Sequence, residues 1–374
     1  MVGLGRLVNE MARQRRGIEA AMSAAGLAGA PAAEADSRVR EVRDFGSNPG
    51  NLRMFVHAPA ELPPAPALVV VLHGCTQTAA GYEVGAGWST LADRYGFVLL
   101  MPEQQAANNP KTCFSWFLPG DTSRDSGEVL SIRQMVERAC RAHDVDRSRV
   151  FVTGLSAGGA MAGALLAAYP EVFAGGAIVA GLPYGAASSV PEAFESMLKG
   201  QSRPAREWGD LVRAASPHRG PWPRVSVWHG AADSTVTPLN AREIVKQWTD
   251  VHGLPLTPTR EEVVDGQKRR VWIDAEGREA IEDYSIAGMA HGTPLGLGGE
   301  EPLGRAGPFM LDVGIASSYH IARFWGLTGA PRSVPPRRPA TTAGPAAEPF
   351  RRPTSGAIHD IISRALRAAG LTKG

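Results

Sequence analysis

"RVFVTGLSAGGAMA", residues 149–162, is a short apolar strand that breaks at a glycine and restarts as a run of small residues. Gly154, Ser156 and Gly158 spell G-x-S-x-G, the pattern of a nucleophile held on a tight strand-to-helix turn with its hydroxyl lifted clear of a sheet. In a chain with 43 glycines the pattern alone is weak, so its flanks decide its meaning. Upstream, "RSRVFVTG" supplies the strand; downstream, "GGAMAGALLAAYPEVF" supports a helix as far as Pro170. The two glycines leave room beside the serine. Ala157 offers a backbone N–H at the start of that helix, where donors lack intrahelical partners. Outside this setting Ser156 would be a small residue in a crowded strand-helix junction.

Outward from the turn, strand-like runs alternate with helical ones, the signature of an α/β protein on a mostly parallel sheet. "NLRMFVHAP" and "ALVVVLHG" precede "GFVLLMP", "RVFVTG", "GGAIVAG" and "RVSVWHG". Helical spacing marks Trp88 to Tyr95 and Val129 to His143, where Val129, Ile132, Val136 and Cys140 share a face. Residues 184–222, between two of the strands, read as a small helical insertion over the site. The expected divisions are an N-terminal helical extension over 1–35, a catalytic body over 36–328, a proline-rich linker over 329–356 and a C-terminal amphipathic helix over 357–374. Ile358, Ile361, Ile362, Ala365, Leu366 and Ala369 form the apolar face of that last helix.

A serine hydroxyl is a weak nucleophile at neutral pH, so a histidine must take its proton and an acid must orient the histidine. In this kind of fold the partners follow the serine in the order acid, then histidine, each on a loop after a strand. "RVSVWHGAADSTVTP" is a strand leading to Asp233, and "EDYSIAGMAHGTP" is a strand leading to His291. Gly288, Gly292 and Pro294 make the second a loop from which a side chain can reach across the rim. Of the other histidines, His57, His73, His229 and His252 adjoin strands or turns and read as structural, and His320 lies in a helical run. Asp121 and Asp125 precede the serine and break the order, while Asp250 and Asp265 lie on a helix and in a turn-rich stretch. An oxyanion needs two donors. Ala157 N–H is one; "VVVLHGCTQTAAGY" offers the other, where Gly74 lets the chain turn and the Cys75 N–H can face the site.

Taken together, "LHGCTQTAAGY", "CFSWF", "VFVTGLSAGGAMA", "GLPYGAA", "GPWPRVSVWHGAAD" and "AGMAHGTP" resemble, over about residues 40–327, the PHB depolymerase family of esterases and its feruloyl and acetylxylan esterase relatives. The resemblance implies an α/β-hydrolase fold, a mostly parallel central sheet flanked by helices. It implies hydrolysis of carboxylic esters through an acyl-enzyme, with Ser156, His291 and Asp233 as the triad and Cys75 and Ala157 as the oxyanion hole. Trp116 of "CFSWF", which reads as core from the residues alone, becomes by resemblance a side chain lining the substrate cleft. A disulfide between Cys75 and Cys113 is implied in the same way, with Cys140 left free and buried. No metal and no organic cofactor is expected.

Composition bounds the partners. Lysine and arginine total 39 against 37 acidic residues, and a net charge of +2 provides no electrostatic case for nucleic acid. No run approaches the roughly 20 apolar residues of a membrane span. Three cysteines are too few, and odd in number, for a secreted disulfide scaffold. Arginines precede an alanine-rich stretch near the N-terminus as in an export signal, but Glu19 interrupts it and a leucine-rich segment is missing. Leu4, Leu7, Val8 and Met11 instead share one side of a short helix. The expectation is a cytoplasmic chain, with a secreted or periplasmic one as the alternative. The expected substrate is poly(3-hydroxybutyrate), its oligomers or a small ester, with granule-surface contact through the terminal helices. The alternatives are a feruloyl or acetylxylan esterase, and a non-catalytic granule-binding protein on a hydrolase scaffold.

Overall fold

The computed structural model describes residues 36–298 and 302–329. The expected N-terminal extension, the linker beyond Gly329 and the C-terminal helix, and with them the expected granule contact, lie outside the described residues.

Strand β3 (Leu68–Leu72) reads LVVVL and is buried throughout. Such a strand needs both faces of its sheet covered. Parallel to it on either side run β4 (Val98–Glu103) and β5 (Val150–Leu155). Beyond β5 follow β6 (Gly175–Val179), β7 (Arg224–Gly230) and β10 (Glu279–Ile286), all parallel. Antiparallel strands flank this centre: β2 (Arg53–His57) and β1 (Arg40–Val42) beside β4, and β9 (Gln267–Ile273) and β8 (Arg260–Val264) beside β10. The full order is β1-β2-β4-β3-β5-β6-β7-β10-β9-β8. A separate pair, β11 (Thr293–Leu295) and β12 (Met310–Asp312), is also parallel.

Successive strand residues point to opposite faces, and the core divides accordingly. Leu68, Val70 and Leu72 join a cluster with Val129 and Ile132 of α4 (Gly127–His143), Leu165 of α5 (Ala157–Ala168) and Ile244 of α8 (Leu239–Val251). Val69 and Val71 join the opposite cluster with Tyr82 of α1 (Ala79–Ala86), Leu91 of α2 (Trp88–Tyr95) and Ile321 of α9 (Ser317–Phe324). Every residue of α5 is buried, as suits a helix apolar all round. The short α3 (Pro119–Thr122) precedes α4, and α6 (Val190–Leu198) and α7 (Ala205–Ala214) form the helical insertion between β6 and β7.

The six strands expected ahead of the Asp233 loop all form, α2 has its expected span, and α4 begins at Gly127, two residues before the first periodic position. Strands β1, β8, β9, β11 and β12 go beyond the sequence reading. Strands β8 and β9 are a hairpin about Asp265–Gly266, both at positive φ, a two-residue turn that favours this dipeptide. They are rich in charge rather than apolar: Lys268 pairs with Glu261 at 2.8 Å, and Arg269 reaches Glu262, Glu279 and Glu282. Hydrophobic runs therefore do not reveal them.

Among the described residues no helix is long and apolar enough to cross a membrane.

Candidate active site

Strands β3, β5, β7 and β10 run in one direction, so the loops after their C-terminal ends leave one edge of the sheet, where open α/β sheets bind their ligands. Those loops carry Cys75, Ser156, Asp233 and His291.

Ser156 stands between β5 and α5 at φ 58° and ψ −117°, a positive-φ conformation that costs a non-glycine residue free energy and persists only where its surroundings enforce it. Its N–H donates to Val179 O of β6 at 2.8 Å, and its carbonyl accepts from Ala160 N–H at 2.9 Å. A Cβ at Gly154 would lie 2.4 Å from the Gly158 carbonyl, and one at Gly158 would lie 2.5 Å from the carbonyl oxygens of Leu72 and His73. The two glycines thus let the turn close on itself and let the start of α5 press against the end of β3. Gly158→Ala is expected to cost roughly 1–3 kcal/mol of stability by overpacking. Because the displaced backbone belongs to the turn and to the loop after β3, ester turnover should fall by more than the loss of folded protein explains. Denaturant melts and active-site titration together measure both.

Asp233 and His291 are brought together. His291 Nδ1 lies 2.7 Å from Asp233 Oδ2, and the Asp233 side chain is fully buried. The other oxygen, Oδ1, accepts from the N–H groups of Thr235 and Val236, each at 2.8 Å. Burial works to raise the Asp233 carboxyl; the hydrogen bonds from His229 and His291 and the Val236 N–H outweigh it and hold the group well below the usual carboxylate range. The two loops are also stitched through their backbones, Ala231 N–H to Ile286 O at 2.8 Å and Ala232 N–H to Met289 O at 3.0 Å. A Cβ on Gly230 would come within 2.3 Å of Met289 O, so only glycine allows this approach. Phe309 packs edge-on against the His291 ring, centroids 6.0 Å apart.

Other described histidines hold partners of their own. His57 pairs with Asp93, His252 Nε2 is 3.0 Å from Pro223 O, and His320 Nε2 is 2.8 Å from Asp265. His229 closes the acid loop on Val236 O at 2.8 Å, as a structural histidine would, and its Nε2 also lies 3.4 Å from Asp233 Oδ2. This second contact was not legible in the sequence, because a four-residue spacing brings side chains together on a helix and His229 instead ends a strand with Asp233 in the loop after it. Asp250 binds Arg213 instead, and Asp125 lies at the far end of α5, its N–H on the Tyr169 hydroxyl.

Ala157 is the first residue of α5, so its N–H lies among the helix donors without intrahelical acceptors. Cys75 is bonded to Cys113, 38 residues on, and Cys140 is free and buried. Thr76 N–H donates to Lys111 O at 2.7 Å beside that bond. Trp116, three residues past Cys113, is 8% exposed and belongs to the same apolar cluster as Ala157, with its ring edge-on to Phe117. Closing a loop of this length should contribute about 4 kcal/mol by restricting the unfolded chain. Replacing Cys75 and Cys113 together by serine is expected to lower the unfolding free energy by about that amount; equal denaturant midpoints for the two proteins would show that the bridge contributes nothing.

A sequence model of the family described as Esterase PHB depolymerase matches residues 53–263. Poly(3-hydroxyalkanoate) depolymerase C of Paucimonas lemoignei is 48% identical over 291 residues, covering 77% of this chain and 70% of that one. An acetylxylan esterase of Coprinopsis cinerea is 35% identical over 274 residues, 71% of this chain and 72% of its own. Among solved structures, the acetyl xylan esterase from Aspergillus awamori superposes with a TM-score of 0.66 at 26% identity, covering 77% of this chain and 99% of that one. With its mostly parallel sheet, its helices on both faces and these relatives, the chain belongs to the PHB depolymerase family of α/β-hydrolase esterases and is a carboxylic ester hydrolase.

Proposed function

We propose that Ser156 is the nucleophile, His291 the general base and Asp233 the acid that orients it, with the N–H groups of Ala157 and Cys75 stabilising the oxyanion. The bond between His291 Nδ1 and the buried Asp233 Oδ2 carries this reading. It assigns Nδ1 as the protonated nitrogen and leaves Nε2 as the base that takes the Ser156 proton. Attack of Oγ on the ester carbonyl forms a tetrahedral oxyanion. Its collapse, with His291 returning the proton to the leaving alcohol, yields an acyl-enzyme and the free alcohol. Water activated by the same base releases the acid.

The substrate is a polyester of 3-hydroxybutyrate or its oligomers, supported by the extent of likeness to the Paucimonas depolymerase. Trp116 is assigned to the wall of the acyl cleft, supported by its place in the cluster that includes Ala157. The backbone likeness to the Aspergillus acetyl xylan esterase favours a second reading, an esterase of acylated polysaccharide. Incubation with amorphous poly(3-hydroxybutyrate), its soluble oligomers and methyl ferulate, with products resolved by mass, separates the two. Release of hydroxybutyrate oligomers is expected; ferulate release without hydroxybutyrate products would replace the polyester with the polysaccharide ester.

A further inference from the structure

We propose that Glu128 is a positioning residue for ester hydrolysis, holding the Gly74–Cys75 peptide of the oxyanion loop in place through Gln104 and His73. The proposal rests on the reading of Cys75 N–H as an oxyanion donor. A peptide unit is planar and trans, so the Gly74 carbonyl and the Cys75 N–H belong to one rigid group and point in opposite directions. Whatever fixes the carbonyl aims the N–H. The Gly74 carbonyl accepts from the His73 ring at Nδ1 (2.8 Å) and from Gln77 N–H (3.3 Å), while Gly74 N–H donates to Gln77 Oε1 at 2.8 Å.

His73 can donate at Nδ1 in its neutral form only if Nε2 is bare, and Gln104 N–H, donating to Nε2 at 3.1 Å, selects that tautomer. The ring has no solvent exposure, and burial pushes its pKa down to about 4, so it is neutral at working pH. Gln104 is in turn held by its side chain. Its Nε2 donates to Glu128 Oε1 at 2.6 Å, and its Oε1 accepts from Gln105 N–H at 2.9 Å and from Asn108 Nδ2 at 2.6 Å.

Glu128 lies in the first turn of α4, 2% exposed, and its second oxygen accepts from Ser115 N–H at 2.9 Å. Ser115 is two residues past Cys113, which is bonded to Cys75. Two routes therefore run from this one carboxylate to the same peptide. One passes through Gln104 and His73 to the Gly74 carbonyl; the other passes through Ser115 and the disulfide to Cys75. A buried carboxylate is costly to keep when an apolar side chain could fill its place. Here its acceptor oxygens close a ring of bonds around the donor that must not move during the reaction.

The test compares wild type, Glu128→Gln and Gln104→Met on p-nitrophenyl butyrate and on the matching thionoester, whose thiocarbonyl sulfur accepts hydrogen bonds poorly. The amide of Glu128→Gln has one acceptor oxygen for two donors. Loss of a whole oxyanion donor costs about 10²- to 10³-fold in kcat; a misaimed one should cost about 10- to 100-fold, with KM little changed. The thionoester should be slowed far less, so the ratio of the two rates narrows. A general loosening of the site would slow both esters by one factor, and an unchanged ratio would overturn the proposal. Gln104→Met cuts the same link from its other end and gives the reading if Glu128→Gln does not fold. Cys75→Pro against Cys75→Ser isolates the donor itself, since both lack the bridge and only proline lacks the N–H. Equal rates for that pair would remove Cys75 as a donor. A large loss in Cys75→Pro, with wild-type ratios in Glu128→Gln and Gln104→Met, would overturn the positioning role alone.

Discussion

If Ser156 is the nucleophile as proposed, Ser156→Ala is expected to lower kcat on a soluble ester by about 10⁴- to 10⁶-fold and to leave the protein folded. The size follows from what the other groups can do alone. In the proposed mechanism no acyl-enzyme forms without the hydroxyl, and the base and oxyanion donors can only assist direct attack by water. The fold survives because the turn is held by the backbone of Ser156, its N–H on Val179 O and its carbonyl on Ala160 N–H, and neither bond involves Oγ. Alanine meets the same backbone cost at φ 58° that serine does. Initial rates, together with a thermal melt that coincides with wild type, check both halves. A variant that turns over at near the wild-type rate would remove Ser156 as nucleophile.

With Asp233 as the proposed orienting acid, Asp233→Asn is expected to lower kcat by about 10⁴-fold, with little change in KM. The carboxylate oxygen 2.7 Å from His291 Nδ1 is an acceptor, which places the ring proton on Nδ1 and, in the proposed triad, leaves Nε2 to act as base. Asparagine can keep its carbonyl toward the N–H groups of Thr235 and Val236, and its NH₂ then faces the imidazole. A donor there favours the opposite tautomer, with the proton on the nitrogen that should accept it. The same substitution changes the response to acid. Because the folded state holds the Asp233 carboxyl below its ordinary value, the carboxylate contributes stability above the unfolded value near 3.8, and that contribution is lost as pH falls toward the depressed folded one. Asparagine does not titrate, so the variant's stability should fall less steeply than wild type's on acidification below about pH 4. Parallel acid titrations with denaturant melts would reveal it; identical acid slopes would show that Asp233 gains no net stabilisation from its partners.

Several of the remaining features could not be read from the chain. Strands β8 and β9 are charged, with ion pairs across their antiparallel ladder, so they lack the apolar run that marks β3 to β7; their one local signal was Asp265–Gly266. His229 and His73 both read as structural histidines at strand ends. Each does fasten a loop, and each also proves to face a group of the site, the Asp233 carboxylate in one case and the Gly74 carbonyl in the other. Gln104 and Glu128 carry no motif, since an isolated amide and an acid 24 residues apart have no spacing that a helix or strand would explain.

The strand-turn-helix around Ser156, the order of serine, acid and histidine, and the alternation of elements that makes an α/β sheet were all determined by sequence alone, because each depends on neighbours within a few residues or on the order of the chain. How closely His291 approaches Asp233, how the loops after β7 and β10 interlock at Gly230, and which groups grip the loop after β3 were decided only by the tertiary structure. Those contacts join residues tens of positions apart, and they form because parallel strands deliver their loops to one edge of the sheet, where backbone approach and burial select the partners.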